Sequence, residues 1–197
     1  MNETTKRHVA PEQVLSEHGS KDGTYPNLLT KYDVPGPRYT SYPTVPAWTG
    51  LPSTGAWLNH VQGTLQSELN SVGSASVSLY LHVPFCRSLC LFCGCTKMIT
   101  KERSYASRFI AAIHKEFEIY KNHIPKNTLL RELHLGGGTP TWLDAEELEK
   151  LLTPFLKEHF VLPKNYALSI EIDPRTTTQE HVQMFKKLGF TRVSLGV

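Results

Sequence analysis

Val77-Ser-Leu-Tyr80-Leu-His-Val83-Pro-Phe-Cys86-Arg-Ser-Leu-Cys90-Leu-Phe-Cys93-Gly-Cys95 is the stretch on which the fold turns. Val77, Leu79, Leu81 and Val83 alternate with Ser78, Tyr80 and His82, the two-residue period of a strand. The cysteines follow at once, so they occupy the loop at that strand's C-terminal end. Downstream, Ser104 to Tyr120 carries Phe109, Ile110, Ile113 and Phe117 on one helical face. Leu133-His-Leu135 reads as a short strand running into Gly136-Gly137-Gly138. Asp144 to about Phe160 reads as the next helix, opened by a capping box of Asp144 with Glu147. Pro154 should kink it, or end it and start a new turn. Ala167 to Ile172 is a third strand. Thr177 with Glu180 is a second capping box, opening a helix that stops at Gly189, and Arg192 begins a fourth strand. The order β-α-β-α-β-α-β predicts an α/β fold of parallel strands with right-handed crossovers, for which a partly closed barrel is one solution.

Upstream, residues 1 to about 52 are rich in Pro, Gly, Ser and Thr. Pro35, Pro37, Pro43 and Pro46 exclude a long helix there, and the segment reads as an extended arm. Residues 54 to 70 carry Trp57, Leu58, Val61, Leu65 and Leu69, a helical stripe. The expected division is 1–75, arm and helix, and 76–197, a barrel domain. An apolar strand at the end of the chain leads us to expect the N-terminal part of a longer protein, truncated after about three and a half βα units and without turnover of its own.

Hydrophobic residues at 40% of 197 supply a core and exclude wholesale disorder. A net charge of +3, spread along the chain, does not argue for nucleic acid. No run of 18 apolar residues exists for a membrane span, and Met1 to Ala10 lacks the apolar stretch of a secretory signal. A cytoplasmic monomer is expected.

All 4 cysteines lie between Cys86 and Cys95, which is not how a disulfide scaffold spaces them. Three thiolates spaced C-x3-C-x2-C can wrap one soft centre. Structural zinc sites bring together two hooks from separate segments, whereas iron–sulfur clusters accept a short loop of ligands. The spacing favours a cluster and leaves zinc, or no metal, as alternatives.

C-x3-C-x2-C after a strand resembles the signature of the radical S-adenosylmethionine (SAM) enzymes. Tyr80-Leu-His82-Val-Pro84-Phe85-Cys86, the extra Cys95, Gly136-Gly137-Gly138-Thr139-Pro140-Thr141, Ser169-Ile-Glu171-Ile-Asp173-Pro174-Arg175 and the arm Gly36-Pro-Arg-Tyr-Thr-Ser-Tyr-Pro resemble, more closely, the oxygen-independent coproporphyrinogen III oxidase family. The likeness runs from about Lys31 to Val197. It implies a partial TIM-like parallel (β/α) barrel of the radical SAM type. It implies a [4Fe–4S] cluster on Cys86, Cys90 and Cys93, with Cys95 nearby but not a ligand, and SAM on the open iron. Tyr80, Gly137 and Glu171 would contact that SAM. Phe92, Gly138 and Thr139 would line a site for a second SAM. The implied reaction is oxidative decarboxylation of coproporphyrinogen III to protoporphyrinogen IX by way of a 5′-deoxyadenosyl radical, with an unidentified electron donor.

Each residue also has a plainer reading. Glycines after a strand can be a simple turn, Glu171 can cap the turn that follows, and His82 reads as a packing residue. Arg38 and Tyr39 can bind substrate carboxylates or merely pack. The competing function is a heme chaperone of the same superfamily, which binds heme without decarboxylation. The arm and the Cys95 spacing favour the enzyme.

Overall fold

The computed structural model describes Thr30, Asp33 and residues 47–91 and 93–196. The chain divides into two compact units, Met1–Leu51 and Pro52–Val197, and every element below belongs to the second. The expected arm over 36–44, with Arg38 and Tyr39, lies outside the described residues.

Helix α1 (Thr54–Val72) begins at Ser53, whose hydroxyl accepts from the Ala56 N–H at 3.2 Å. It stops at Gly73, which adopts φ +76° as the left-handed C-terminal residue. Strand β1 (Ser76–Val83) follows, then two short strands, β2 (Phe85–Cys86) and β3 (Met98–Ile99), at the two roots of the cysteine loop. Helix α2 (Ser104–Lys121) leads to β4 (Leu129–Gly137), a 3-10 turn at Pro140–Trp142, and helix α3 (Ala145–Thr153). A π-helical turn (Pro154–His159), β5 (Ala167–Ile172), α4 (Gln179–Leu188) and β6 (Arg192–Leu195) complete the order.

The main sheet runs β1-β4-β5-β6, all parallel. Spatial order follows sequence order, so each crossover adds its strand on the same side, as a barrel winds. Leu130, Leu133, Leu135, Leu168 and Ile170 are fully buried. They share one core with Ile110 and Phe117 of α2, Leu148, Leu151 and Leu152 of α3, and Met184 and Phe185 of α4. The opposite face is polar. Tyr80, His134 and Ser169 stand in register across three strands, and His82, Gly136 and Glu171 occupy the next layer toward the carboxyl ends. Tyr80 and His82 therefore face away from the helices. Among the described residues no helix is long and apolar enough to cross a membrane.

Two local expectations shift, and the one for Pro154 is met. Strand β4 starts at Leu129 rather than Leu133, because a register shift against Val77/Ser78 places Leu130 and Leu133 on one face despite their three-residue spacing. Pro154 ends α3 and opens the π turn. The second capping box lies one residue later than read. Thr178 and His181 form it, because the Thr177 hydroxyl donates to the Asp173 carbonyl at 2.8 Å. The first box, Asp144 with Glu147, forms as read.

Candidate functional site

The cysteine loop is fastened at its base. The Met98 N–H donates to the Pro84 carbonyl at 2.6 Å and the Thr100 N–H to the Cys86 carbonyl at 2.9 Å, closing the loop between β2 and β3. Phe85 plugs the root into the core, with its ring centroid 4.5 Å from Trp142 and 5.4 Å from Phe109. Trp142 is held in turn by its indole N–H donating to the Thr100 carbonyl at 2.8 Å.

Glycines bring β4 against that root. A Cβ on Gly138 would stand 2.8 Å from the Phe85 carbonyl oxygen and 2.9 Å from Cys86 Sγ. Gly137 has φ +116°, and its missing side chain leaves room for the His82 ring. Gly136 lies where the Tyr80 ring and the Glu171 carboxylate meet, each 3.1 Å from a Cβ built there. The glycine run thus has a packing requirement of its own.

Cys86, Cys90 and Cys93 line one cavity of about 820 Å³ at the carboxyl ends of the strands, together with Gly137, Gly138, Thr139 and Glu171. Cys95 and Arg175 join the same wall. Tyr80 stands outside that lining, on the inner sheet face beneath it, stacked on His134 at 5.8 Å. Phe92 lies outside the described residues. His82 has partners at both ring nitrogens, Tyr80 Oη at 3.0 Å and the Thr96 carbonyl at 2.7 Å, as its packing reading expects.

All four cysteines are free thiols. Cys86 is buried and receives the Thr139 hydroxyl at 3.4 Å. A hydrogen bond from the Cys95 backbone, helped by the nearby Lys97 ammonium, draws the Cys93 thiol below its ordinary value. Burial, and then Cys93 itself, push Cys95 up. Cys93 is thus the more readily ionised of the two, as a ligand must be. The Arg175 guanidinium grips the Asp173 carboxylate through Nε at 3.0 and 3.1 Å and through a terminal nitrogen at 2.7 Å. That contact holds Asp173 below the usual carboxylate range. Asp173, followed by Cys90, holds Arg175 firmly charged.

Among the described residues no three His, Cys, Asp or Glu side chains already converge as metal ligands. The donor set nonetheless fits an iron–sulfur cluster. It is all sulfur, which suits a soft centre, and its three thiols share a cavity with room for a molecule beside a cluster. A structural zinc site would be closed around its ion.

The residues that sequence reading left without a role are His134, Ser169, Lys97 and the Asp173–Arg175 pair. His134 was recoverable from strand alternation, which puts it on the face of Tyr80. Lys97, whose ammonium donates to the Cys93 carbonyl at 3.3 Å, carries no such signal.

The family model described as the Radical SAM superfamily matches residues 80–197. The oxygen-independent coproporphyrinogen III oxidase of Pseudomonas aeruginosa is 36% identical over 173 residues, covering 87% of this chain and 36% of that protein. The enzyme of the same name from Escherichia coli is 35% identical over 170 residues, covering 86% of this chain and 35% of its own. Among solved structures, coproporphyrinogen III oxidase (HemN) from Escherichia coli, described as a radical SAM enzyme, superimposes with a TM-score of 0.69 at 32% identity. That match covers 87% of this chain and 36% of that one. The chain thus spans little more than a third of the length of these relatives. The matched residues 80–197 hold the cysteine loop, the glycine run and Glu171, and this chain belongs to the radical SAM superfamily.

Proposed function

We propose that the chain carries the cofactor site of an oxygen-independent coproporphyrinogen III oxidase, with residues 76–197 as the barrel domain and 1–75 as arm and helix. One observation carries the reading. Three free thiols share a single cavity of about 820 Å³ with Gly137, Gly138 and Glu171 at the strands' carboxyl ends, and the similarity to the named oxidases supports it.

Cys86, Cys90 and Cys93 would hold the [4Fe–4S] cluster, with Cys95 beside it. The chemistry such a group supplies when bound is one-electron cleavage of SAM, which lets a propionate of coproporphyrinogen III be oxidised and lost as CO2. The chain's own residues bind, orient and shield. Glu171 offers carboxylate oxygens to ribose or amino hydrogens of SAM, the glycine backbone lets SAM approach closely, and Tyr80 backs the site from the sheet. Phe92, Gly138 and Thr139 are assigned to a second SAM. We place the protein in the cytoplasm as a monomer served by a separate electron donor.

Anaerobic reconstitution, iron and acid-labile sulfide analysis, and low-temperature EPR of the dithionite-reduced protein with and without SAM test this. The expected result is a [4Fe–4S]⁺ signal that changes on adding SAM. Zinc in place of iron and sulfide, or a signal indifferent to SAM, would reject the reading. Heme binding without propionate loss would assign the chaperone function instead.

A further inference from the structure

Glu171 lines the cavity, and both of its oxygens are already engaged from behind. One lies 3.3 Å from the Gly137 N–H and the other 3.4 Å from His134 Nε2. His134 is not part of the cavity wall. Its other nitrogen, Nδ1, lies 2.7 Å from the Ser169 hydroxyl, and its ring stacks at 18° and 5.8 Å on Tyr80. A carboxylate only accepts, so His134 Nε2 carries the hydrogen. In the neutral ring Nδ1 is then the acceptor, and the Ser169 hydroxyl donates to it. The tautomer is fixed from both sides. Ser169, His134 and Glu171 come from adjacent parallel strands, so the sheet itself sets their spacing.

We propose that His134 is a positioning residue. Stacked on the Tyr80 ring, it orients the Glu171 carboxylate, so that the carboxylate meets SAM already aligned. A glutamate left to rotate at the cavity wall would have to lose its rotamer freedom when SAM binds, and one held in advance does not. Ser169 is engaged with Nδ1, and the Gly137 N–H reaches only the other oxygen. The inference rests on the reading that Glu171 meets SAM.

The test uses the anaerobically reconstituted chain and needs no turnover. SAM is titrated against the EPR change of the reduced cluster in the wild type, His134→Phe, His134→Gln, Ser169→Ala and Glu171→Gln. Iron and sulfide are measured on each. None of these residues is a cluster ligand, so the iron content should stay at the wild-type level. His134→Phe keeps an aromatic ring on Tyr80 and removes the donor, and it should raise the SAM concentration at half-change about tenfold. His134→Gln restores an N–H donor and should fall within about threefold of the wild type, a rescue that a merely structural role would not produce. Ser169→Ala should weaken binding about threefold, and it carries the test if His134→Phe fails to fold. If Glu171→Gln weakens SAM while His134→Phe and Ser169→Ala match the wild type, the positioning role is overturned and the SAM site stands. If the wild-type signal ignores SAM, the site and this inference fall together.

Discussion

Gly138 has no freedom to become anything larger. Its missing Cβ would fall 2.8 Å from a backbone carbonyl of Phe85 and 2.9 Å from Cys86 Sγ, atoms that cannot swing aside as a flexible side chain can. Gly138→Ala should therefore push the loop root from β4, costing about 1–3 kcal/mol as overpacking does and, on the proposed ligation, loosening the hold of Cys86 on iron. Gly63, in the middle of α1, is the control, since a Cβ there meets nothing within 4 Å. Gly63→Ala should stabilise by up to about 1 kcal/mol through helix propensity. Urea midpoints and iron retained after desalting check both, and equal effects at the two glycines would sink the argument. At this scale the sequence was informative about which thiols gather and poor about their neighbours. The cysteine spacing alone marked the loop whose thiols line the cavity. His134 escaped notice because its contacts, Tyr80 and Glu171, lie on other strands and depend on register, which no single segment encodes. Lys97 was hidden for a simpler reason, since a lysine after a cysteine motif is unremarkable until the loop's path is known.

The elements were legible wherever a period could run. Strand β5 and helix α2 carry clean alternation or a clean stripe, and they form within a residue of where the sequence puts them. Strands β2 and β3 have two residues each, too short to show any period, and they form because the loop must close over a buried Phe85. The start of β4 was obscured by its register shift, and the N-cap of α4 by three consecutive threonines competing for one role. Pro154 was rightly read as a break, but not as a π turn. That turn buries His159, which is 6% exposed, against the rings of Phe117 and Phe160, and its Nε2 has no hydrogen-bond partner. Burial lowers its pKa, a bond to the Ile124 backbone opposes the shift, and Lys121 and Lys126 reinforce it more than Glu118 offsets it. The folded state therefore binds the proton less well than the unfolded chain. Stability from this group is complete above the ordinary histidine value of about 6.5 and falls as the pH drops from there toward the lower folded value. Each unit of depression is worth about 1.4 kcal/mol. Urea midpoints at pH 7.5, 6.5 and 5.5 should show the wild type losing stability over a range in which His159→Phe is flatter. Parallel slopes would remove His159 as the cause. The carboxylates held low by their partners, Asp173 and Glu149 among them, titrate well below this window.

In the molecule at large, the core and the site are made from different residues. Leu133, Leu135, Leu168 and Ile170 pack on three helices using one face of the sheet, and of the four cysteines only Cys86 is buried. The candidate ligands and the cavity gather instead at the carboxyl ends of the strands, where a parallel barrel places its chemistry because every βα connection emerges there. That separation explains why β-α alternation was enough to predict where the site lies, while the inner-face network and the loop's closure had to await the fold. It also predicts how the protein responds to losing the proposed cluster. Small zinc domains unfold without their ion because the ligands are their core. Here the described hydrophobic core cluster contains no cysteine, so chelation should leave the sheet and helices intact. The far-UV circular dichroism of reconstituted and chelated protein should coincide at 25 °C. Cluster loading should raise the unfolding midpoint only through mass action on the folded state. Hydrogen exchange should locate the difference, with amides between Arg87 and Lys97 losing protection on chelation while those of β4, β5 and α3 do not change. Collapse of the helical signal on chelation would mean that the cluster organises the core as well as the site, and would place the cysteine loop inside the folding unit rather than on it.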